Sequence, residues 1–135
     1  MKYKILEHKA DIKIKIFGKT LEELFKNAAL AMAQILKRDP KLRIHPNASK
    51  EKMKIKSLGR EILLVDFLNE ILARSQINKC LYRVSSFKIQ DSSIEAELIS
   101  YPVESFDEDI KAATYHDLKI SQKDGRFEVV ILFDI

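Results

Sequence analysis

The sequence predicts an α+β fold, in which two main helices form one layer and pack on a mainly antiparallel sheet. The spacing of apolar residues changes from period two to a helical period at Gly18. A second long apolar segment, residues 61–74, predicts another helix, and residues 127–133 predict a strand that is apolar on both faces. We expect residues 1–135 to form a single domain, since this length is ordinary for one hydrophobic core.

The first strand and the first helix follow directly from the spacing of apolar residues. Isoleucines at 12, 14 and 16 alternate with lysines, which is typical of a half-buried strand that ends at Phe17-Gly18. Residues 20–36 then carry an apolar stripe at helical spacing. Thr20 and Glu23 have the spacing of a capping box, which predicts that the helix begins there.

The middle of the chain predicts a second strand, a buried helix and a hairpin. Residues 51–57 alternate as a strand does. Residues 61–74 are apolar on most faces and too long for an ordinary strand, so we expect a deeply packed helix. Strands 84–89 and 94–99 follow, and the polar residues 90–93 predict a hairpin connection between them.

The last third predicts two more strands, 113–120 and 127–133, joined by a turn at Lys123-Asp124-Gly125. Phe127, Val129, Ile131 and Phe133 share one face of the second strand, and apolar residues also occupy the other face. A strand buried on both faces belongs in the middle of a sheet.

Composition limits the class of protein. Hydrophobic residues make up 46% and charged residues 33%, which is typical of a globular and not a disordered chain. Cys80 is the single cysteine, so neither an intramolecular disulfide nor a cysteine-based zinc cluster can form. The sequence has no apolar run of membrane-spanning length and no signal-peptide core. We therefore expect a cytoplasmic protein without a membrane partner.

The net charge of +4 raises the alternative of an RNA-binding module, with weak RNA contact. However, the lysines of residues 13–15 and 50–56 alternate with other residues, as on the solvent face of a strand. No aromatic residues stand between them to stack on bases. The acidic run 104–109 also interrupts the positive charge.

No catalytic residue is predicted. The sequence lacks a glycine-rich phosphate loop, HExxH, CxxC and a nucleophile elbow, and this absence is informative in a chain with three glycines. The candidate site residues are polar residues near the ends of predicted strands: Glu7, His8, Asp11, Lys111, Thr114, His116 and Asp134. Each also has an ordinary interpretation as a hydrogen-bonded or turn-capping side chain.

The end of the sequence suggests a cation site. Asp134 and the terminal carboxylate of Ile135 would lie one residue apart at the end of a central strand. Clustered anions repel one another unless they are exposed, protonated or neutralised by a cation. Oxygen ligands suit calcium or magnesium better than zinc. Simple solvation of both carboxylates is the alternative.

Several segments resemble, in order, the signatures of the archease family. They are residues 7–12, 18–25 and 28–32 near the start, 63–70 in the second helix, and 110–116 with 133–135 near the end. The resemblance covers nearly the whole chain. Two departures are Lys9, where the family usually has Thr, and a shortened loop at 101–109.

The resemblance implies a cytoplasmic partner of the tRNA-splicing RNA ligase. Archeases promote guanylylation of that ligase and its multiple turnover, without ligase chemistry of their own, so the resemblance implies a protein that is not an enzyme. The family's calcium ligands correspond to Asp11, Asp134 and the main chain of Ile135, with magnesium as the alternative metal. The resemblance also places Lys111 in the functional region, and we expect His8 and His116, within the same signatures, to belong to it.

Two other functions stay open from the residues alone. One is an RNA-binding or chaperone-like module, which the basic composition favours. The other is a small metal-dependent hydrolase that uses Asp11, Asp134 and His116.

Overall fold

The computed structural model describes residues 11–38 and 48–135. Within these ranges the chain forms two helices and seven strands, which confirms the α+β class. In order they are β1 (Asp11–Gly18), α1 (Leu21–Leu36), β2 (Lys50–Lys56), α2 (Arg60–Asn78), β3 (Cys80–Gln90), β4 (Ser93–Pro102), β5 (Ala112–Ala113), β6 (Ser121–Lys123) and β7 (Arg126–Asp134).

The strands form two antiparallel sheets, where the sequence suggested one. Sheet A has the order β1-β7-β5, and β6 also pairs with β7. Sheet B has the order β2-β4-β3. A strand has only two edges, and β4 uses both of its edges for β2 and β3. The central strand β7 likewise uses its edges within sheet A, so no ladder between described strands joins the two sheets.

Helix α1 begins where the capping residues predicted. The Glu23 amide donates to Thr20 Oγ1 at 3.1 Å, and Glu23 Oε1 accepts from the Lys19 amide at 3.3 Å. A side chain at Gly18 would place its Cβ 2.4 Å from the Leu24 backbone nitrogen. Only glycine therefore allows β1 to approach the first turn of α1 this closely.

Helix α2 is buried along most of its length, as predicted, but it continues to Asn78 and not to residue 74. Most of its apolar residues pack into the core, including Phe67, which is completely buried, whereas Ile77 near its end is exposed. The rings of Phe25, Phe67 and Phe87 lie 5.4–5.9 Å apart, centroid to centroid. This aromatic cluster joins α1, α2 and sheet B. No helix in the described ranges is both long and apolar enough to cross a membrane.

The hairpin between β3 and β4 is confirmed, and so is the turn before β7. Gln90 pairs with Ser93, and Lys123 pairs with Arg126. Asp124 and Gly125 have φ values of 52° and 77°, which suit a two-residue hairpin turn. Strand β3 begins at Cys80, four residues before the predicted start at Val84.

The predicted strand at residues 113–120 is wrong. Between β4 and β7, only Ala112–Ala113 and Ser121–Lys123 form strands that pair with β7. After Thr114, whose amide donates to the Leu132 carbonyl, the chain turns, with the Leu118 amide donating to the Tyr115 carbonyl at 3.3 Å. The turn forms because side chains of α2 bind this segment, a tertiary effect that strand periodicity does not report.

Strand β7 lies in the middle of sheet A, as predicted, but it is not buried on both faces. Val129, Ile131 and Phe133 face the core, whereas Val130 is 43% exposed. The register pairs Val130 with the exposed Lys15. The second face is therefore open to solvent among the described residues. The lysines at 13, 15 and along β2 are exposed too, which confirms that they form solvent faces of strands.

Candidate functional site

Two carboxylates stand opposite each other at one end of sheet A. Asp11 pairs with Asp134 in the β1–β7 register. Directly opposite residues share a face, with Cβ atoms about 4.5–5.5 Å apart. Phe133, the residue before Asp134, is completely buried in the core, so Asp134 and the facing Asp11 are on the other face of the sheet. Like charges in this position destabilise a sheet unless something neutralises them.

A third segment meets the same end of the sheet. Ala112 of β5 pairs with Asp134 from the other side, and the Lys111 amide donates to the Asp134 carbonyl at 2.7 Å. The exposed Lys111 side chain thus belongs to a residue bonded to Asp134 through the backbone. Ile135 is half-buried and packs against the core, which fixes the main chain beyond Asp134. The structure therefore brings together Asp11, Lys111, Asp134 and Ile135.

Helix α2 holds the segment that carries Lys111. Asn69 forms two hydrogen bonds with Ala113: its Nδ2 donates to the carbonyl at 3.0 Å, and its Oδ1 accepts from the amide at 2.8 Å. Gln76 Nε2 donates to the Ile110 carbonyl at 2.7 Å. Asn69 thereby bonds the backbone of β5 as a neighbouring strand would. The segment is fixed between β7 on one side and α2 on the other.

A second anchor lies farther along the same segment. The Tyr115 hydroxyl donates to Asp66 Oδ1 at 2.6 Å, and Ser57 Oγ donates to Asp66 Oδ2 at 2.5 Å. The bond to the Asp66 carboxylate, together with some burial, raises the pKa of Tyr115 above its ordinary value. The phenol therefore stays protonated as a donor, and it holds the turn after Thr114 against α2.

His116 is not brought to the aspartates. Its side chain is 62% exposed, and its Nε2 lies 3.2 Å from Asp117 Oδ2. Among residues 11–38 and 48–135, no group of three His, Cys, Asp or Glu side chains is arranged to hold a metal. The ligand set of the hydrolase alternative, Asp11, Asp134 and His116, is thus not assembled. Glu7, His8 and Lys9 lie outside the described residues.

The residues at this end of sheet A fit a hard cation. Asp11 and Asp134 offer carboxylate oxygens, and Ile135 offers main-chain oxygen. Calcium takes about six to eight oxygen ligands, often including water and backbone carbonyls. Two side chains and a main-chain group are a partial set, so water or a neighbouring group would complete it.

Sequence reasoning missed the residues that position the site. Asp66, Asn69 and Gln76 interrupt an apolar helix at spacings of three and seven, which places them on one face. A polar stripe on a deeply packed helix is a usable signal, because buried polar groups need partners. Identifying those partners as Tyr115, Ala113 and Ile110 requires the tertiary structure.

Comparison with known proteins gives a consistent family. Residues 3–135 match the model of the Archease protein family (MTH1598/TM1083). The chain is 34% identical to Protein archease of Methanosarcina barkeri, over 98% of this chain and 95% of that protein. It is 32% identical to Protein archease of Thermoplasma volcanium, with full coverage of both.

Solved structures share the fold. The solution structure of Methanobacterium thermoautotrophicum protein 1598 matches 96% of both chains, with a TM-score of 0.73 and 25% identity. The crystal structure of an archease from Thermotoga maritima, described as a possible chaperone, covers the whole chain and 98% of that protein. Its TM-score is 0.69 at 20% identity, so this similarity concerns the fold alone.

Proposed function

The chain belongs to the archease family, and we propose on this basis that it activates the tRNA-splicing RNA ligase by promoting guanylylation and multiple turnover. The observation that carries the proposal is the pairing of Asp11 with Asp134 beside the Lys111 segment. This end of sheet A combines a cation site with an exposed lysine on a fixed backbone.

Calcium is the proposed ion, held by Asp11, Asp134 and the main chain of Ile135, with magnesium as the alternative. The bound ion would supply positive charge that neutralises the facing carboxylates. Asn69 and Gln76 keep the Lys111 backbone in place next to Asp134. The lysine side chain is then free to pair with a carboxylate or phosphate of the partner.

The proposed action is positioning, not group transfer. Guanylylation requires the ligase nucleophile, the triphosphate and its metals to be aligned, and small misplacements are costly in rate. A protein that binds the aligned ligase more tightly than the resting ligase shifts the population toward the aligned state. None of the relatives described above is named as an enzyme.

Single- and multiple-turnover ligation by the cognate ligase, with and without this protein, tests the function. We expect the protein to raise the rate of ligase guanylylation and the number of turnovers. An unchanged rate would overturn the proposed function. Self-labelling of the protein alone by radioactive GTP would show instead that it is an enzyme.

Matched variants test the site. We expect Asp134→Asn and Lys111→Ala to fold normally yet to lose stimulation of multiple turnover. Asp124→Asn and Lys123→Ala make the same chemical changes in the exposed β6–β7 hairpin and should stimulate like the wild type. If the wild type stimulates the ligase and all four variants do so equally, the function stands but this surface is wrong.

The RNA-binding alternative has weaker support. The exposed lysines of β2 face glutamates of β4, with Lys50 3.9 Å from Glu97 and Lys54 3.5 Å from Glu95. These ion pairs reduce the positive potential of the outer face of sheet B. An RNA complex would lose affinity steeply as salt rises, which distinguishes it from the ligase complex.

A further inference from the structure

A groove of about 670 Å³ runs between α1 and β3, and it shares no residue with the Asp134 end of sheet A. On the helix side Ala29 and Ala33 give a floor of small side chains, and Leu30 stands 49% exposed at the rim. On the strand side the groove is lined by the consecutive residues 82–84.

The groove follows the free edge of a sheet. Side chains of successive strand residues point to opposite faces. Tyr82 is buried on the core side and Arg83 is exposed on the other, yet both line the groove. The groove must therefore run along the strand edge. Among described strands β3 pairs only with β4, so its opposite edge carries unpaired backbone amides and carbonyls.

The charge of the groove has one sign. Lys26, Arg38 and Arg83 line it, and no carboxylate does so among the described residues. None of these three side chains has an ion-pair partner within 4 Å in the described part of the chain. Asp107, which does not line the groove, attracts Arg38. A ligand that supplies carboxylates would find Lys26 and Arg83 without an ion-pair partner among the described residues.

We propose that this groove binds an acidic, extended segment of a partner protein, which adds as a strand to the Cys80–Val84 part of β3. Backbone hydrogen bonds to the strand edge would supply affinity, as in other cases of strand addition. Acidic side chains would pair with Lys26, Arg38 and Arg83, and an apolar side chain would pack on Leu30. The register shift between Val84 and Ser86 limits the added strand at that end.

Charge argues against the chain's own undescribed segments as the occupant. Residues 1–10 contain three lysines and one glutamate, and residues 39–47 contain Lys41 and Arg43 against Asp39. Both segments carry a net positive charge, which does not complement the charge of the groove. An RNA strand is also less suitable, because the one aromatic residue that lines the groove, Tyr82, is 3% exposed and offers no face for base stacking.

The probe for a first test is a fluorescent synthetic peptide that repeats Glu-Glu-Val-Val, which places glutamates on both faces of an added strand. We expect saturable binding to the whole protein at near-physiological salt, seen by fluorescence anisotropy, and amide-exchange protection of residues 80–84. The triple variant Lys26→Glu, Arg38→Glu, Arg83→Glu should weaken binding at least about tenfold, because three attractions become repulsions. All three side chains are exposed, so the variant should keep its fold.

Two matched controls distinguish specific binding in the groove from nonspecific attraction of an acidic peptide to a basic protein. The variant Lys52→Glu, Lys56→Glu, Lys123→Glu has the same net charge, and these exposed lysines form no ion pair in the described part of the chain. It should bind the peptide like the wild type. A peptide with N-methyl groups on every amide keeps its charge but is blocked at both of its strand edges, and it should not bind.

Four outcomes would overturn the proposal. They are equal binding of a lysine–valine peptide, equal loss in the two triple variants, undiminished binding of the N-methylated peptide, and tighter binding of single-stranded oligouridine to the same groove. None of these measurements involves the ligase, so the result is independent of the proposed function.

Discussion

Polar side chains that each satisfy two backbone or side-chain partners determine how the loops of this protein are placed. Asn69 completes the hydrogen bonding of Ala113, and Asp66 joins Ser57 to Tyr115. Asp107 does the same at the end of α1, where its carboxylate accepts from the Arg38 amide at 2.7 Å and from Lys37 Nζ at 3.3 Å. Single residues of this kind attach irregular segments to helices that the apolar pattern alone would leave separate.

The pKa of Tyr115 reports directly on its hydrogen bond to Asp66. We expect Asp66→Asn to lower the pKa of Tyr115 toward its ordinary value of 10.0, because a neutral acceptor no longer opposes formation of the phenolate. NMR titration of the labelled tyrosine ring carbons measures this change. Ser57→Ala keeps the Asp66–Tyr115 bond and should leave the Tyr115 pKa raised. An unchanged pKa in Asp66→Asn would contradict the hydrogen bond.

Asp107 predicts a pH dependence of stability. Its Oδ2 accepts from the Arg38 amide at 2.7 Å and its Oδ1 lies 3.3 Å from Lys37 Nζ, so the pKa of Asp107 is held below its ordinary 3.8. A carboxyl with a lowered pKa stabilises the fold above the unfolded pKa, and this contribution disappears as pH falls through the folded pKa.

The measurement is thermal unfolding of the wild type and Asp107→Asn as a function of pH. We expect the wild type to be the more stable near neutral pH and its advantage to shrink as the pH drops below about 4. Asp109→Asn makes the same change at an exposed carboxyl of the same loop and serves as the matched control. A difference that is constant with pH would refute the assignment.

At the scale of secondary-structure elements, two features position the helices: the close contact between β1 and α1, and the burial of α2 in the core. The β1–α1 junction depends on Gly18, and α2 depends on the aromatic cluster around Phe67. The period change in the sequence marks the first of these features, and the broad apolar surface of residues 61–74 marks the second. Each feature can be tested by one substitution, compared with a control substitution of the same kind elsewhere in the protein.

Gly18→Ala should destabilise the protein by about 1–3 kcal/mol, because the added Cβ meets backbone atoms of α1, which a rotamer change cannot move. Gly59 has extended backbone and open space around its Cβ position. Gly59→Ala should therefore cost less than about 1 kcal/mol, mainly by weakening the helix N-cap. Urea denaturation gives both values. Equal costs would show that the β1–α1 approach is not tight.

Phe67→Ala should cost about 3–5 kcal/mol, because it removes a completely buried ring from contact with Phe25 and Phe87. Val130→Ala, on the exposed face of β7, should change stability by only about 0.5 kcal/mol. A cost below about 1 kcal/mol for Phe67→Ala would contradict the packing of α2. Denaturant unfolding with a constant m-value is the required measurement.

At the scale of the whole molecule, the proposed cation site couples ligand binding to folding. Asp11 and Asp134 belong to strands that join the first and the last described parts of the chain. Any ion that binds only the native pair stabilises the entire fold, by about 2.7 kcal/mol at a hundredfold excess over Kd. Without the ion the same pair is a local repulsion.

This coupling predicts that calcium reverses the order of stability of the wild type and Asp134→Asn. In chelator, Asp134→Asn should be more stable than the wild type by about 0.2–1 kcal/mol, because one of two facing charges is gone. In excess calcium the order should invert, since the wild type alone gains binding energy. Thermal melts in both conditions, with calorimetry of calcium binding, measure the effect. If calcium raises both melting temperatures equally, the ligand assignment is wrong.

Periodicity, capping residues and turn residues by themselves determined the α+β class, both helices and the two hairpins. These features depend on neighbours within a few positions of the chain. The facing of Asp11 and Asp134 across strands was not derivable from spacing; the resemblance to archeases suggested those residues, and the register places them opposite each other.

Only the tertiary structure decided the division into two sheets, the turn at Tyr115 and the open face at Val130. The residues 113–120 alternate well enough for a strand, yet hydrogen bonds from Asp66 and Asn69 of α2 hold them in another conformation. Val130 and Leu132 are as apolar as core residues, but their face lacks a covering layer among the described residues. Strand pairing and the burial of a sheet face depend on which segments come into contact in the folded protein. The local sequence pattern does not determine those contacts.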